Sequence, residues 1–458
     1  MSNHLAWDCQ ARARSTRRVA AALALALGLP ACTGDDTGSS GVGANGAGGS
    51  GANGASGGAG GSGGEPYRWY PALDLATVPF HATSPVRAPD PPATTTTVHV
   101  SDAPGLVAAA LVPGTEVVVD ADIAGPIIVF GEVVDVDIVV PVGVTLGQLI
   151  LGVISPPSRV ERVRVRGSTP GTHSGGVVGL IMTPDGGDHI ILDGIDLNGG
   201  TPDGLLYQLG TSGRVAIVNV RGHAAGAGSL GRASDLVVAG STFRTSVRAR
   251  SVNGFSEGWG LRHVPDRFVL YQSRIDGTRY HRVRLHPEPG ATQYAYVAEN
   301  TFVDPYEARI LWGADVAGNG ARLAGMWAHQ NQIYAHTTCF TPSFEAADAD
   351  LADLTGNVFH GSFTATLQQA VQDAHGPGHD YVTGNVFEAW QAPPAWPAPG
   401  DPGQIPLPPV DAQACNPALD TPVCAGPPEL ACTTDFECEA GMACVDDGTT
   451  STCGPEPC

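Results

Sequence analysis

Residues 280–287 read YHRVRLHP. Arg282, Arg284 and His286 alternate with Val283 and Leu285, the period-2 pattern of a strand with one apolar and one polar face. Tyr280 stands just ahead of them. A guanidinium fork holds a carboxylate bidentately, and an imidazole or phenol moves protons. These types in one short strand suit neutralising an acidic group while exchanging a proton beside it. Arg282, Arg284, His286 and Tyr280 are therefore the candidate catalytic residues. Between Arg244 and His286 nine Arg stand against three acids, Glu257, Asp266 and Asp276. Unit charges one strand spacing apart repel by about 3 kcal/mol at an effective dielectric near 20. Such a row, if unopposed, is a site for an anion. The rival account is that Glu257, Glu288 and Glu307 pair with it and that the Arg stems cover apolar surface.

Other chemistries have weaker patterns. Hydrolysis by two facing carboxylates would draw on Asp276, Asp304 and Glu307, yet no spacing forces a pair. Calcium would draw on Asp193, Asp196 and Asp203 in LDGIDLNGGTPDG. Acids beside Gly are also ordinary turn formers, so no cofactor is expected and calcium is the one option. All 24 basic residues are Arg, so lysine Schiff-base chemistry is excluded. The formal charge of −21 argues against nucleic acid as a partner. A monomer is expected.

The ends of the chain place it. Arg12, Arg14, Arg17 and Arg18 precede an apolar run from Val19 to Leu29, too short to span a bilayer and flanked as in a signal peptide. The run ends in LPAC, which resembles the lipobox of bacterial lipoproteins. That resemblance implies lipidation at Cys32 and an exported, membrane-anchored chain at the outer membrane or cell surface. Residues 33–64 hold 15 Gly, a flexible tether. The expected organisation is a signal peptide over 1–31, tether over 32–66, Pro/Thr-rich lead-in over 67–97, repeat body over 98–391, Pro-rich linker over 392–413 and Cys-rich module over 414–458. Seven of the ten Cys lie between Cys415 and Cys458, and Cys339 stands alone in the body. In an exported chain this spacing suggests disulfides, with Cys339 pairing into the tail. The tail has neither CxxC nor His, which disfavours zinc.

The body positions the candidate site, and it is a repeat. Short segments such as LDGIDL, AGSTF, YQSRI, AENTF, HQNQI and two copies of TGNVF recur. Anchored two residues before the last apolar residue, they fall at Val163, Ile195, Val218, Ser241, Ser273, Asn300, Asn331, Asn357 and Asn385, 23 to 32 residues apart. Units of this length with strand alternation and Gly-rich turns predict an all-β solenoid. Phe243, Ile275, Phe302, Ile333, Phe359 and Phe387 should form one inward apolar file, and the Asn a hydrogen-bonded ladder. In SDAPGLVAAALVPGTEVVV, Asp102 or Ser101 should cap a short helix that plugs the open end.

With these features, residues 98–391 resemble the right-handed parallel β-helix proteins of the pectate-lyase-like superfamily. The resemblance implies a single-stranded right-handed parallel β-helix with a small disulfide-rich module behind it. It carries no catalytic residues over, because neither a paired-Asp signature nor an RxPxxR motif is present. Counting seven residues on from Phe243, Ile275 and Phe302 gives Arg250, Arg282 and Arg309, expected as a stacked ladder beside Arg248 and Arg284. Arg250, Arg248 and Arg309 are thus the candidate binding residues. The partner such a row fits is an acidic polysaccharide lying along the axis. The enzyme classes compatible with that partner are a polysaccharide lyase or a glycoside hydrolase. The alternative is a non-catalytic structural or adhesin-like envelope lipoprotein.

Overall fold

The computed structural model describes residues 68–152, 159–184, 186–198, 206–210, 213–224, 228–245, 259–276, 281–285, 290–304, 309–313, 322–335, 343–345, 349–360 and 384–388, together with 391, 394 and four short strands beyond 414. The signal peptide, tether, Cys32 and Cys339 lie outside the described residues.

Among the described residues twenty-six strands pair in parallel, alternating between sheets as the chain winds. One sheet takes Thr96–Val100, Thr115–Val119, Val133–Val139, Val160–Arg166, Asp188–Asp193 and Arg214–Val218. It continues through the second halves of Gly228–Ala239 and Trp259–Tyr271, then Thr292–Ala298, Arg322–His329 and Ala352–Asp353. The second sheet takes Ile123–Val129, Thr145–Leu151 and Val177–Thr183, and then divides. One branch runs from Asp196–Asn198 to Val386–Glu388. The other runs from Tyr207–Leu209 to Ser343–Glu345. This is a β-solenoid. Each strand meets its counterpart one turn away, so the core is a set of stacked files.

The principal file follows the register from Ile123 through Leu146, Val178, Leu197, Gly222, Phe243, Ile275, Phe302, Ile333 and Phe359 to Phe387. Phe243, Ile275, Phe302, Ile333 and Phe359 are fully buried, as the repeat predicts. Gly222 keeps its place because a Cβ there would come within 2.5 Å of the Leu206 side chain and 2.7 Å of Phe243. Two anchors are corrected by the register. Val163 belongs to the other sheet, level with Val136 and Ile190. Val218 ends a strand of that sheet, and Val220 takes the ladder position. The segment IVNVRG has apolar residues on both sides of Asn219, where the corner between the sheets falls.

That corner repeats with left-handed backbone at Gly194, Asn219, Gly240, Gln272, Glu299, Gln330, Gly356 and Gly384. From Gly240 onward the next residue, Ser241, Ser273, Asn300, Asn331, Asn357 or Asn385, forms a polar ladder. The Asn331 Oδ1 accepts from the backbone N–H and the Nδ2 of Asn300, both at 3.0 Å, and its own Nδ2 donates to Val297 O and Asn357 Oδ1. Asn357 and Asn385 repeat the pattern, and Ser273 and Ser241 extend it upward with hydroxyls. The first open end is plugged by the helix Ala103–Ala110. Asp102 caps it, accepting from Gly105 N at 2.7 Å, and Leu106 and Ala110 are completely buried.

The lead-in is more than a connector. From residue 68 to 93 it lies as a strap across the outer face of the first sheet. Trp69, Leu73, Val78, Phe80 and Val86 pack against Ile191, Ala216, Val218, Val237, Ala239, Val269 and Trp327. Polar contacts hold its far end: Arg87 N donates to Asp235, Asp90 N to His189 Nδ1 and Ala93 N to Asp135.

Candidate functional site

The strand His281–Leu285 forms as its alternation predicts, with Val283 and Leu285 buried. The expected arginine stack is corrected. Arg309 pairs with His281, one residue out of step with Arg282, while Arg284 is level with Arg262 and Trp312. The count slips because Thr301–Asp304 runs one residue further past the file than Arg274–Asp276 does. Tyr280, His286, Arg248 and Arg250 lie outside the described residues, as do the side chains of Arg282, Arg284 and Arg309.

The same Arg-alternating pattern occurs in VERVRVR, where the side chains are described. Asp137 is buried and takes two contacts from Arg164, at 2.9 and 2.5 Å, and two from Arg166, at 3.2 and 2.9 Å. Arg166 reaches Glu116 at 2.7 Å, and Arg162 forks onto Asp135 at 2.6 and 2.7 Å. Arg162 holds the Asp135 carboxyl below the usual range, chiefly by that hydrogen bond. Arg164 also lies 5.1 Å above the Trp69 ring of the strap. This arginine row is neutralised and anchors the strap.

A second group of arginines is placed differently. Arg232, Arg267 and Arg322 line one open cleft of about 510 Å³ with Asp266, Tyr294 and the strap residues Thr83 and Ser84. They come from three different strands of the solenoid. Arg267 is fixed by buried Asp235, at 2.5 and 2.9 Å, and Arg322 is paired with Asp350. Arg232 is exposed and makes no ion pair among the described residues. Burial raises the Asp266 carboxyl above the usual range, while Arg232 and Arg267 oppose the shift. The cleft therefore offers an exposed guanidinium with no ion pair among the described residues, two positioned ones, a phenol and a carboxyl whose pKa burial raises. It can hold a carboxylate-bearing ligand and has groups to exchange a proton beside it. Nothing local marks it in the sequence, because its residues are up to 239 positions apart, from Thr83 to Arg322.

Two further clusters have internal roles. His360 stacks on Tyr334 with ring centroids 4.4 Å apart, its Nε2 2.8 Å from Gln332 Oε1, and its burial lowers its pKa. Of the calcium candidates, Asp193 accepts from Gly171 N at 2.8 Å and Asp196 lies 2.9 Å from His173. Each thus has its own partner, and Asp203 lies outside the described residues. No group of three metal-ligating side chains is found among the described residues. A comparison with protein-family models finds no match for the chain, and a search of curated proteins finds no significant relative.

Proposed function

We propose that this is an exported protein, lipid-anchored through Cys32, whose right-handed, pectate-lyase-like β-helix binds an acidic polysaccharide. The observation that carries the reading is the exposed Arg232, which makes no ion pair among the described residues, in a cleft where Arg267 and Arg322 are already positioned. A polyuronate supplies carboxylates at regular intervals, and the cleft supplies guanidiniums from two adjacent turns, Arg232 and Arg267, and from a third two turns further on, Arg322. Arg282 and Arg284 lie on a strand paired with the first half of Trp259–Tyr271, where Arg284 is level with Arg262, whereas Arg267 in the second half is level with Tyr294. Lytic chemistry would use a guanidinium to neutralise the uronate, with a phenol, imidazole or carboxyl to move the proton.

The test is titration of the mature protein with uronate polymers, in wild type and Arg232→Ala. The substitution is expected to weaken binding by about 1.5–3 kcal/mol, the range for a hydrogen bond to a charged group. Its melting temperature should hardly move, because no described ion pair is broken. Absorbance from unsaturated product ends reads lyase activity in the same samples. The paired row Arg162, Arg164 and Arg166 favours a second reading, a structural envelope lipoprotein whose arginines only brace the fold. Wild-type affinity in Arg232→Ala for every uronate tested would select that reading.

A further inference from the structure

The other end of the same strands carries a patch of different composition. Tyr271 and Tyr296 are half-buried on the outer face of the first sheet, with Tyr70 of the strap beside them. The Tyr70 and Tyr271 rings meet edge-on at 6.3 Å, and the Tyr296 and His329 rings at 6.0 Å. Glu299 accepts from Tyr271 Oη at 3.0 Å and from Gln272 Nε2 at 2.7 Å, and Asp353 lies 3.2 Å from His329 Nε2. Burial raises the phenol pKa values of Tyr70, Tyr271 and Tyr296, and the Glu299 charge adds to each shift, so all three remain donors at neutral pH.

Backbone geometry gives a second observation. At the repeated corner most turns use Gly or Asn. Three consecutive turns instead place Gln272, Glu299 and Gln330 there, at φ 44, 57 and 55°. Long side chains are costly in this region, by about 1–2 kcal/mol each. Gln272 repays the strain by binding Tyr70 of the strap at 2.8 Å. Among the described residues no hydrogen bond joins Glu299 or Gln330 to the strap, Glu299 acting on Tyr70 through its charge alone, and both are exposed. The strain thus sets a row of hydrogen-bonding groups, about 4.8 Å apart, along the edge of an aromatic surface.

We infer that this patch is a binding site for an uncharged hexosyl unit, distinct from the arginine cleft. Tyr271 and Tyr296 present ring surface to the apolar face of a pyranose. Gln272, Glu299, Gln330 and Asp353 offer acceptors and donors to its hydroxyls. The carboxylates of Glu299 and Asp353 repel a uronate, which excludes the ligand of the cleft from this site. A heteropolysaccharide with both acidic and neutral residues would span the two.

Titration calorimetry of the full chain with uncharged β-1,4-linked glucose and mannose hexamers tests the inference. One of them is expected to bind, and Tyr296→Ala and Glu299→Gly should each weaken it about tenfold. Glycine accepts the Glu299 backbone without strain, so Glu299→Gly should keep the melting temperature within about 2 °C. Binding lost with stability kept supports the site. Failure of both hexamers to bind, or unchanged affinity in both variants, overturns it. Arg232→Ala should leave hexamer binding intact, so the failure of the acidic-glycan reading would be seen separately.

Discussion

At the scale of single residues, buried polar groups do the most specific work. Asn331 is completely buried and uses both ends of its amide to join three turns. Asn331→Leu would orphan the Asn300 N–H and the Val297 carbonyl, at about 1–3 kcal/mol each. The variant should therefore lose about 2–6 kcal/mol in urea denaturation. A loss under 1 kcal/mol would mean that water or a shifted turn replaces the amide. Asp193 shows the opposite case. It is fully buried, and burial raises its carboxyl to about 6 despite the Gly171 N–H and nearby Arg164 and Arg166. The folded state therefore keeps this proton longer than the unfolded chain, whose pKa is near 3.9. Stability from this group is highest below the unfolded pKa and falls as pH rises through about 6, by about 3 kcal/mol once pH is well above it. Asp193→Asn removes the titration. Wild type should therefore lose about 2 kcal/mol relative to Asp193→Asn between pH 4 and 6, measured by denaturation at each pH. A constant difference across that window would place the carboxyl at its ordinary value.

At the scale of elements, the strap is the part the sequence conceals. Its apolar residues, Trp69, Leu73, Val78, Phe80 and Val86, follow neither a period of 2 nor one of 3.6. They belong to an irregular segment draped over a flat sheet, so composition marks it only as Pro/Thr-rich. The inward file and the Asn ladder were legible for the converse reason: each repeats once per turn, and stacking makes repetition visible. The cleft was not legible, since Ser84, Arg232, Arg267 and Arg322 meet only after the chain has wound several times. Local arginine density pointed instead to YHRVRLHP, and a one-residue difference in strand length broke the predicted stack. Phe80 is the strap's main fastener, stacked 5.2 Å from Tyr294 and 5.6 Å from Trp327. Phe80→Ala should lose about 3–5 kcal/mol of packing. Because one segment is held at one face, the loss should open the strap rather than unfold the solenoid. Trypsin should then cut after Arg87 about 100-fold faster, read by mass spectrometry. An unchanged cleavage rate would show that the polar contacts at Asp135, His189 and Asp235 suffice.

At the scale of the whole molecule, the global field opposes the local site. Removing residues 1–31, which carry four Arg and one Asp, changes the formal charge from −21 to −24. On the proposed reading, a polyuronate approaching the mature protein would meet net repulsion at long range and attraction only within the cleft. Salt screens both, but over different distances: the Debye length is about 30 Å at 0.01 M and about 8 Å at 0.15 M. Long-range repulsion acts on encounter, and contacts at Arg232 act on residence. Raising salt from 0.01 to 0.15 M should therefore increase both the association and the dissociation rate of a uronate oligomer. This differs from a basic receptor, where association slows with salt because steering is lost. Arg232→Ala should raise the dissociation rate and flatten its salt dependence, while the rise in association rate persists. Stopped-flow measurements at the two ionic strengths read both rates. An association rate that falls with salt would mean that the basic region around Arg232, Arg267 and Arg322 dominates the approach. The acidity of the rest of the chain would then lie too far from the cleft to be felt there.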